Sequence, residues 1–315
     1  MTTSSAPGGE HRLALAAGIS CYVFWGLVPL MFQAMARLGA DPWEIMAQRT
    51  MWGAVAALGF VLLARQGREA LAILRQPKTV AWLALSAAFV AGNWSVFIWA
   101  VNSGRVLETS LGYYILPLMN MAAGALLFGE RLDPLGKAAI ALAAVGVALQ
   151  TAALGHLPLI SLVLAVTFGG YGVVRKRVAA EAQTGLLVEC ALLAIPGAAY
   201  VFWLQSTGHG HFGQNLPVTA WLIASGPLTA VPLVLFTYST RRIALSAVAF
   251  MQFITPTMTF FLGVSQGEPF SLVRGISFGL IWAGVAVFAY AAWRNSRAAL
   301  KAAAKSAAEE NQRAA

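Results

Sequence analysis

LGYYILPLMNMAAG (residues 111–124) and FMQFITPTMTFFLG (residues 250–263) carry one pattern twice. In the first copy Tyr113, Pro117, Asn120 and Gly124 stand at i, i+4, i+7 and i+11. In the second, 139 residues later, Gln252, Pro256, Thr259 and Gly263 do the same. That spacing marks one face of an α-helix. Each copy lies in an apolar run and is soon followed by Gly-Glu (Gly129-Glu130, Gly267-Glu268) and another apolar run. A polar, proline-bearing stripe used twice in a membrane chain points to a transporter whose solute path lies between the repeats.

Composition makes this a membrane chain. It is 59% hydrophobic and 10% charged, where a soluble domain has roughly 45–50% and about 25%. A hydrocarbon core about 30 Å thick needs roughly 20 apolar residues per helix. Ten runs qualify: 13–35, 43–64, 79–101, 107–128, 135–153, 157–174, 185–205, 216–238, 244–265 and 271–293. An even number of spans puts both termini on one side. Of the 21 Lys and Arg, 17 fall on that side, leaving Arg37, Arg49, Arg105 and Arg274 on the other. By the positive-inside rule both termini are cytoplasmic, in a cell (inner) membrane. The net charge of +9 is therefore topogenic and calls for no nucleic-acid partner. Ala34-Met35-Ala36 resembles a signal-peptidase site, but the preceding apolar stretch is too long for a signal peptide, so the first span is read as retained.

The predicted fold is all-α and integral to the membrane, with ten transmembrane helices as two inverted-topology five-helix repeats. The first covers 13–153 and the second 157–293, between an N-tail (1–12) and an Ala/Lys/Glu-rich C-tail (294–315) read as a frayed helix or disorder. Shifting the chain by 138–139 residues superposes Asp133 on Ser271, both good helix N-caps, and Gly146 on Gly284, each in a Gly-Val-Ala triplet. Five is odd, so the copies must cross in opposite directions. Gly275, Gly279 and Ala283 in the last span allow close helix approach, either within one chain or at the seam of a weak homodimer.

Candidate site residues follow from the cost of polarity in lipid. Pro117 and Pro256, read at mid-helix, would free the carbonyls of Tyr113 and Gln252, which must then face protein, water or solute. Asn120 and Thr259 add side-chain hydrogen-bonding groups to the same stripes. In the third span Asn93, Trp94, Trp99 and Asn102 could line an aromatic, hydrogen-bonding wall or serve as interhelical glue. Asp41 is a plausible N-cap, Pro42 takes the first helical position, and Glu44 completes a capping pattern. Arg49 then sits roughly 10 Å into its span, where it either snorkels outward or meets an anion. The anion would be Glu44 or a group on an anionic or zwitterionic small organic solute. Glu189 is the candidate for coupling to protons, or is an acid stabilised by its helix N-terminus. Cys21 and Cys190 lie within spans and read as apolar filler.

Enzymatic classes find no support. Gly129 to Gly136-Lys137 has the wrong spacing for a P-loop, and there is no zinc-protease or esterase motif. His209 and His211 lack further ligands nearby. No cofactor, no metal and no catalytic residue are expected. A non-transporting scaffold or intramembrane enzyme is the alternative, but a scaffold needs no matched stripes.

The chain resembles a known family. Tyr22-x-x-Trp25-Gly26, Arg49, Gly92-Asn93-Trp94, Trp99-Ala100-Val101-Asn102, Leu111-Gly112-Tyr113 and Pro117-Leu118 carry the resemblance in the first half. It continues in Gly129-Glu130-Arg131, Tyr171-Gly172, Arg175-Lys176, Glu181 to Gly185, Glu189 and Phe250-x-Gln252-x-x-x-Pro256. Over roughly residues 12–293 this resembles the ten-span drug/metabolite transporter superfamily, built from two EamA-type domains, and most of all its RarD subfamily of chloramphenicol-sensitivity permeases. The resemblance implies an inner-membrane permease that exports or exchanges small organic metabolites or drugs by alternating access. Gly267-Glu268-Pro269 departs from the usual charged continuation.

Overall fold

The computed structural model describes residues 7–128, 133–240, 242–243 and 251–314. Among these it holds eleven α-helices and no strand. They are α1 (Pro7–Arg37), α2 (Pro42–Leu63), α3 (Gly67–Leu74), α4 (Pro77–Asn102), α5 (Val106–Phe128) and α6 (Pro134–Leu154). The rest are α7 (Leu159–Arg177), α8 (Ala182–Ser206), α9 (Leu216–Thr240), α10 (Ile254–Ser265) and α11 (Leu272–Ala314). Seven are long and apolar enough to cross a membrane by length and composition. The protein is a multi-pass membrane protein. Each predicted run carries a helix, the ninth from Ile254 onward; its residues 244–250 and the first Gly-Glu pair lie outside the described residues.

Local signals start the helices where the sequence places them. Asp41 caps α2 through Oδ1, which accepts the N–H of Trp43 at 2.7 Å and of Glu44 at 3.1 Å. Asp133 caps α6 through the N–H of Gly136, and Ser271 accepts from Arg274 at the start of α11. Glu44 does not complete the capping pattern; its carboxylate is drawn away by a distant loop, described below. The amphipathic α3 was not predicted. It buries Ala70 and Ile73 and leaves Leu71 and Leu74 exposed among Arg68, Arg75 and Lys78. The C-tail continues α11 as helix to Ala314, as its alanine, lysine and glutamate content favours.

Lipid tails are as apolar as leucine, so close approach and interhelical hydrogen bonds hold the bundle, each bond contributing about 0.6 kcal/mol on average. The helix pairs and their directions follow from these contacts. α6 and α11 are antiparallel: a Cβ on Gly146 would meet the Ser277 carbonyl at 2.9 Å, and one on Gly284 the Ala139 carbonyl at 2.8 Å. Ser277 also donates to the carbonyl of Gly146. α2 and α8 are antiparallel, with Gly197 against Ala47 and Gly53 against Cys190. α1 and α10 run parallel, joined by Thr255 to the Tyr22 carbonyl and by a reciprocal amide pair, Gln33 with Gln266. α5 and α7 run parallel, with Ser161 donating to the Glu108 carbonyl and Gly112 against Leu164. α9 packs on α1 and α2, while α4 packs on α7 and α8. Gly279 and Ala283 instead face outward, and a Cβ on Gly279 would meet open space, so these two positions of the small-residue stripe form no seam among the described residues.

Candidate functional site

Arg49 is the eighth residue of α2 and is 9% exposed. Its guanidinium lies over the Trp94 ring of α4, 4.0 Å from the centroid, and 5.4 Å from that of Phe32 in α1. Its Nε donates to Thr229 Oγ1 on α9 at 2.9 Å. No carboxylate among the described residues pairs with it. Two aromatic rings and a hydroxyl therefore hold a cation whose terminal nitrogens lack a protein anion. Such a guanidinium is suited to bidentate binding of a carboxylate or phosphate.

Asn93 is fully buried and fully used. Its Nδ2 donates to the Leu164 carbonyl at 2.9 Å and to Thr167 Oγ1 at 3.1 Å on α7, and its Oδ1 accepts from Tyr113 at 3.0 Å. It ties α4 to α7 and fixes the Tyr113 phenol, whose ring meets Phe97 and Phe168 edge-on. Trp99 is not brought to Arg49. It is 40% exposed at the end of α4, 5.7 Å from the Arg105 guanidinium, as an interfacial aromatic would be. Asn102 closes the same helix with both amide atoms buried and without a hydrogen-bond partner.

Glu189 is the eighth residue of α8 and 1% exposed. Ser86 on α4 donates to Oε1 at 2.6 Å, and Tyr171 on α7 lies 3.4 Å from Oε2. Arg175 Nη1 stands 3.7 Å from Oε1. The charge is thus met by a protein cation and two hydroxyls.

The two stripes differ. Pro117 is inside the continuous α5 and buried; the side chain of Asn120 lies outside the described residues. Pro256, read as mid-helix, instead stands in the first turn of α10, after a turn at Gln252 and Phe253. A proline costs little there, because a first-turn N–H lacks an intrahelical partner anyway. Its carbonyl accepts from Ser110 at 2.7 Å. Thr259 is buried and bonds back to the Thr255 and Pro256 carbonyls, while Gly263 seats Leu107. This face of α10 packs on α5.

Sequence reasoning missed Thr229, Phe32 and the loop between α8 and α9. α9 carries Pro227 and Pro232 on either side of Thr229, a signal as strong as the one at Pro117. The loop had no signal beyond two histidines. In it His211 and Phe212 give their backbone N–H groups to Glu44 Oε1 at 2.7 and 3.2 Å, and His211 Nδ1 lies 2.8 Å from Oε2. Glu44 therefore does not neutralise Arg49. Phe212 lies 6.2 Å from the Trp52 ring and packs on the cluster that holds Phe32 and Met46. A groove of about 490 Å³ between α3 and the α7–α8 connection, lined by Glu69, Gln76, Glu181 and Thr184, contains none of these residues. No group of His, Cys, Asp or Glu with metal-holding geometry occurs among the described residues. Cys21 and Cys190 are free and buried.

Comparison with known proteins finds one family model, three relatives and one solved structure that resemble the chain. The model of the EamA-like transporter family matches residues 12–152. Protein RarD of Salmonella typhi is 41% identical over 281 residues, 89% of this chain and 95% of that protein. An uncharacterized transporter of Vibrio cholerae is 36% identical over 93% of this chain and 97% of its own length. A chloramphenicol-sensitive protein RarD of Pseudomonas aeruginosa is 28% identical over 87% of this chain and 91% of its own. A solved crystal structure superposes with a TM-score of 0.58 at 21% identity, covering 89% of this chain and 98% of that one, which speaks to fold alone.

Proposed function

The chain belongs to the EamA-like family of the drug/metabolite transporter superfamily, in its RarD subfamily, and from that premise we propose that it is a secondary transporter moving a small anionic or zwitterionic organic solute by alternating access. The observation that carries this reading is Arg49. A guanidinium in a bilayer-spanning helix costs about 2.5–3.5 kcal/mol at mid-span, and here it is positioned by Trp94, Phe32 and Thr229 without a counter-ion among the described residues. A transported anion supplies what the protein withholds.

The ten-span, inverted-repeat architecture with both termini cytoplasmic belongs to the same proposal. The helix contacts support it, because they pair off under exchange of the repeats. α1 on α9 matches α7 on α4, α1 on α10 matches α7 on α5, and α2 on α9 matches α8 on α4. The reciprocal glycine contacts, Gly146 with Ser277 and Gly284 with Ala139, are each other's images at an offset of 138. Relative directions, parallel or antiparallel, agree with ten alternating spans in every pair described above.

Thermal stabilisation of the purified protein tests the solute class. Carboxylate-bearing metabolites and drugs should raise the midpoint of the wild type and fail to raise that of Arg49→Ala. Solutes that stabilise both proteins equally would place binding elsewhere.

A further inference from the structure

We propose that Arg175, Ser86 and Tyr171, closing on Glu189, form the cytoplasmic gate of the transport cycle, as the inverted counterpart of the Arg49 site. This rests on the inverted-repeat transporter reading. Arg49 and Glu189 are each the eighth residue of the second long helix of their repeat, 140 residues apart. Arg49 contacts Phe32 on α1; Glu189 contacts Tyr171 on α7, at an offset of 139. Arg49 bonds Thr229 on α9; Glu189 bonds Ser86 on α4, at an offset of 143. One three-helix arrangement is thus built twice, with opposite charge at its centre. Under the proposed topology one copy is eight residues in from the outer surface and the other eight in from the cytoplasm.

The copies differ in how the charge is met. Arg49 meets no carboxylate among the described residues, whereas Glu189 has Arg175. Gly185 makes room for that partner: a Cβ there would lie 2.1 Å from Arg175 Nη1. The guanidinium can therefore lie across the first turn of α8 only because residue 185 has no side chain. Just beneath, Ile73, Leu83, Val174, Val178 and Val188 close the apolar end between α3, α4, α7 and α8. The ion pair is held at 3.7 Å, and Arg175 Nη1 makes no hydrogen bond. Charge alone holds these two groups to each other, while Arg175 Nη2 donates to the Glu181 carbonyl at 3.4 Å, so the pair can part with only that long bond to rearrange. Alternating access in an inverted repeat exchanges the arrangements of the two halves, which requires this second copy to open when the first closes.

The test reads sidedness in the full chain. Leu83→Cys, at a site fully buried in the sealing cluster, is placed in a Cys21→Ala/Cys190→Ala background. Membrane-impermeant maleimide is then applied to inside-out and right-side-out vesicles. Arg175→Gln should speed labelling from the cytoplasmic face about tenfold, the change that ~1.4 kcal/mol of lost closure produces, and leave labelling from the outer face unchanged. Arg175→Lys should return part of the protection. Ser86→Ala and Tyr171→Phe, which keep the ion pair, should give smaller increases from the same face and decide the matter if Arg175→Gln does not accumulate. Wild-type rates in all the variants that fold, or equal increases from both faces, would overturn the gate. A cytoplasm-specific increase alongside unchanged solute stabilisation in Arg49→Ala would instead leave the gate standing and remove the Arg49 solute site.

Discussion

His211 and Glu44 lock the loop between α8 and α9 onto the start of α2. The carboxylate of Glu44 is fully buried and accepts the backbone N–H groups of His211 and Phe212, with His211 Nδ1 at 2.8 Å from its other oxygen. The His211 ring rests on Gly39, where φ is +101° and a Cβ would meet the ring at 2.8 Å. Glycine is needed there for both the backbone conformation and the space. The loop in turn sets Phe212 beside Trp52, a turn from Gln48 and Arg49.

Glu44→Ala should therefore cost more than His211→Ala. The first leaves two backbone N–H groups without their acceptor, at about 1–3 kcal/mol each. The second removes the ring contact and keeps both backbone bonds. Hydrogen exchange of residues 207–215 should rise strongly in Glu44→Ala and modestly in His211→Ala. Equal exchange in the two variants would mean that the ring, not the backbone, holds the loop.

Arg49→Lys should be almost as damaging to solute binding as Arg49→Ala. Lysine keeps the charge but loses the planar contact with Trp94 and the directed Nε bond to Thr229. Thr229→Val should lie between these variants and the wild type. Solute-dependent thermal shifts for the four proteins give the order. A lysine variant that binds normally would show that charge alone suffices.

Close approach makes a matched pair of predictions. Gly146→Val and Gly284→Val each drive a side chain into a carbonyl, of Ser277 and Ala139 respectively, and overpacking of this kind typically costs about 1–3 kcal/mol. Both should lower the thermal midpoint by similar amounts. Gly279→Ala, facing open space, should be neutral or slightly stabilising. Destabilisation by Gly279→Ala would point to a second chain packed on that face.

Glu268 supplies a pH test outside the spans. Burial raises its carboxyl above the usual range, while the N–H donors of Leu107 and Val106 and the charge of Arg274 pull it back. A raised folded-state value means that the folded protein holds the proton more tightly than the unfolded chain. Its stabilising contribution is therefore full below the ordinary carboxylate range and is lost as pH rises through the raised value. Relative to Glu268→Gln, the wild type should lose thermal stability as pH rises from about 4. A difference that stays constant with pH would mean that Glu268 does not titrate in that range.

What the sequence disclosed was what periodicity and cost can disclose. Helix-length apolar runs, the caps Asp41, Asp133 and Ser271, and the expense of Arg49 and Glu189 were all legible. Partners were not. Thr229 lies 180 residues from Arg49 and Ser86 lies 103 from Glu189, so only the packed bundle joins them. Asn93 read equally as a cavity wall or as interhelical glue, because its polarity was visible and its three bonds to α5 and α7, which make it glue, were not. Glu44 looked like a local cap because a carboxylate in a first turn usually is one; the distant loop outcompeted the helix for it. α3 was passed over because a short amphipathic segment between spans has no length signal.

The two prolines now separate. Pro117 interrupts a continuous α5, so Pro117→Ala restores a helical N–H and stiffens a helix that packs on α4, α7, α10 and α11. Pro256 lies in the first turn of α10, so Pro256→Ala restores an N–H that a first turn leaves unpaired, and the Ser110 bond to its carbonyl survives the change. Pro117→Ala should slow solute exchange in proteoliposomes with little change in binding, as loss of a hinge does. Pro256→Ala should leave both near wild type. Thr259→Val, which loses only bonds to its own helix, should be equally mild. If Pro256→Ala slows exchange as much as Pro117→Ala, the turn at Gln252 and Phe253 is itself a moving part, and the repeated stripe works as a pair despite its unequal structure.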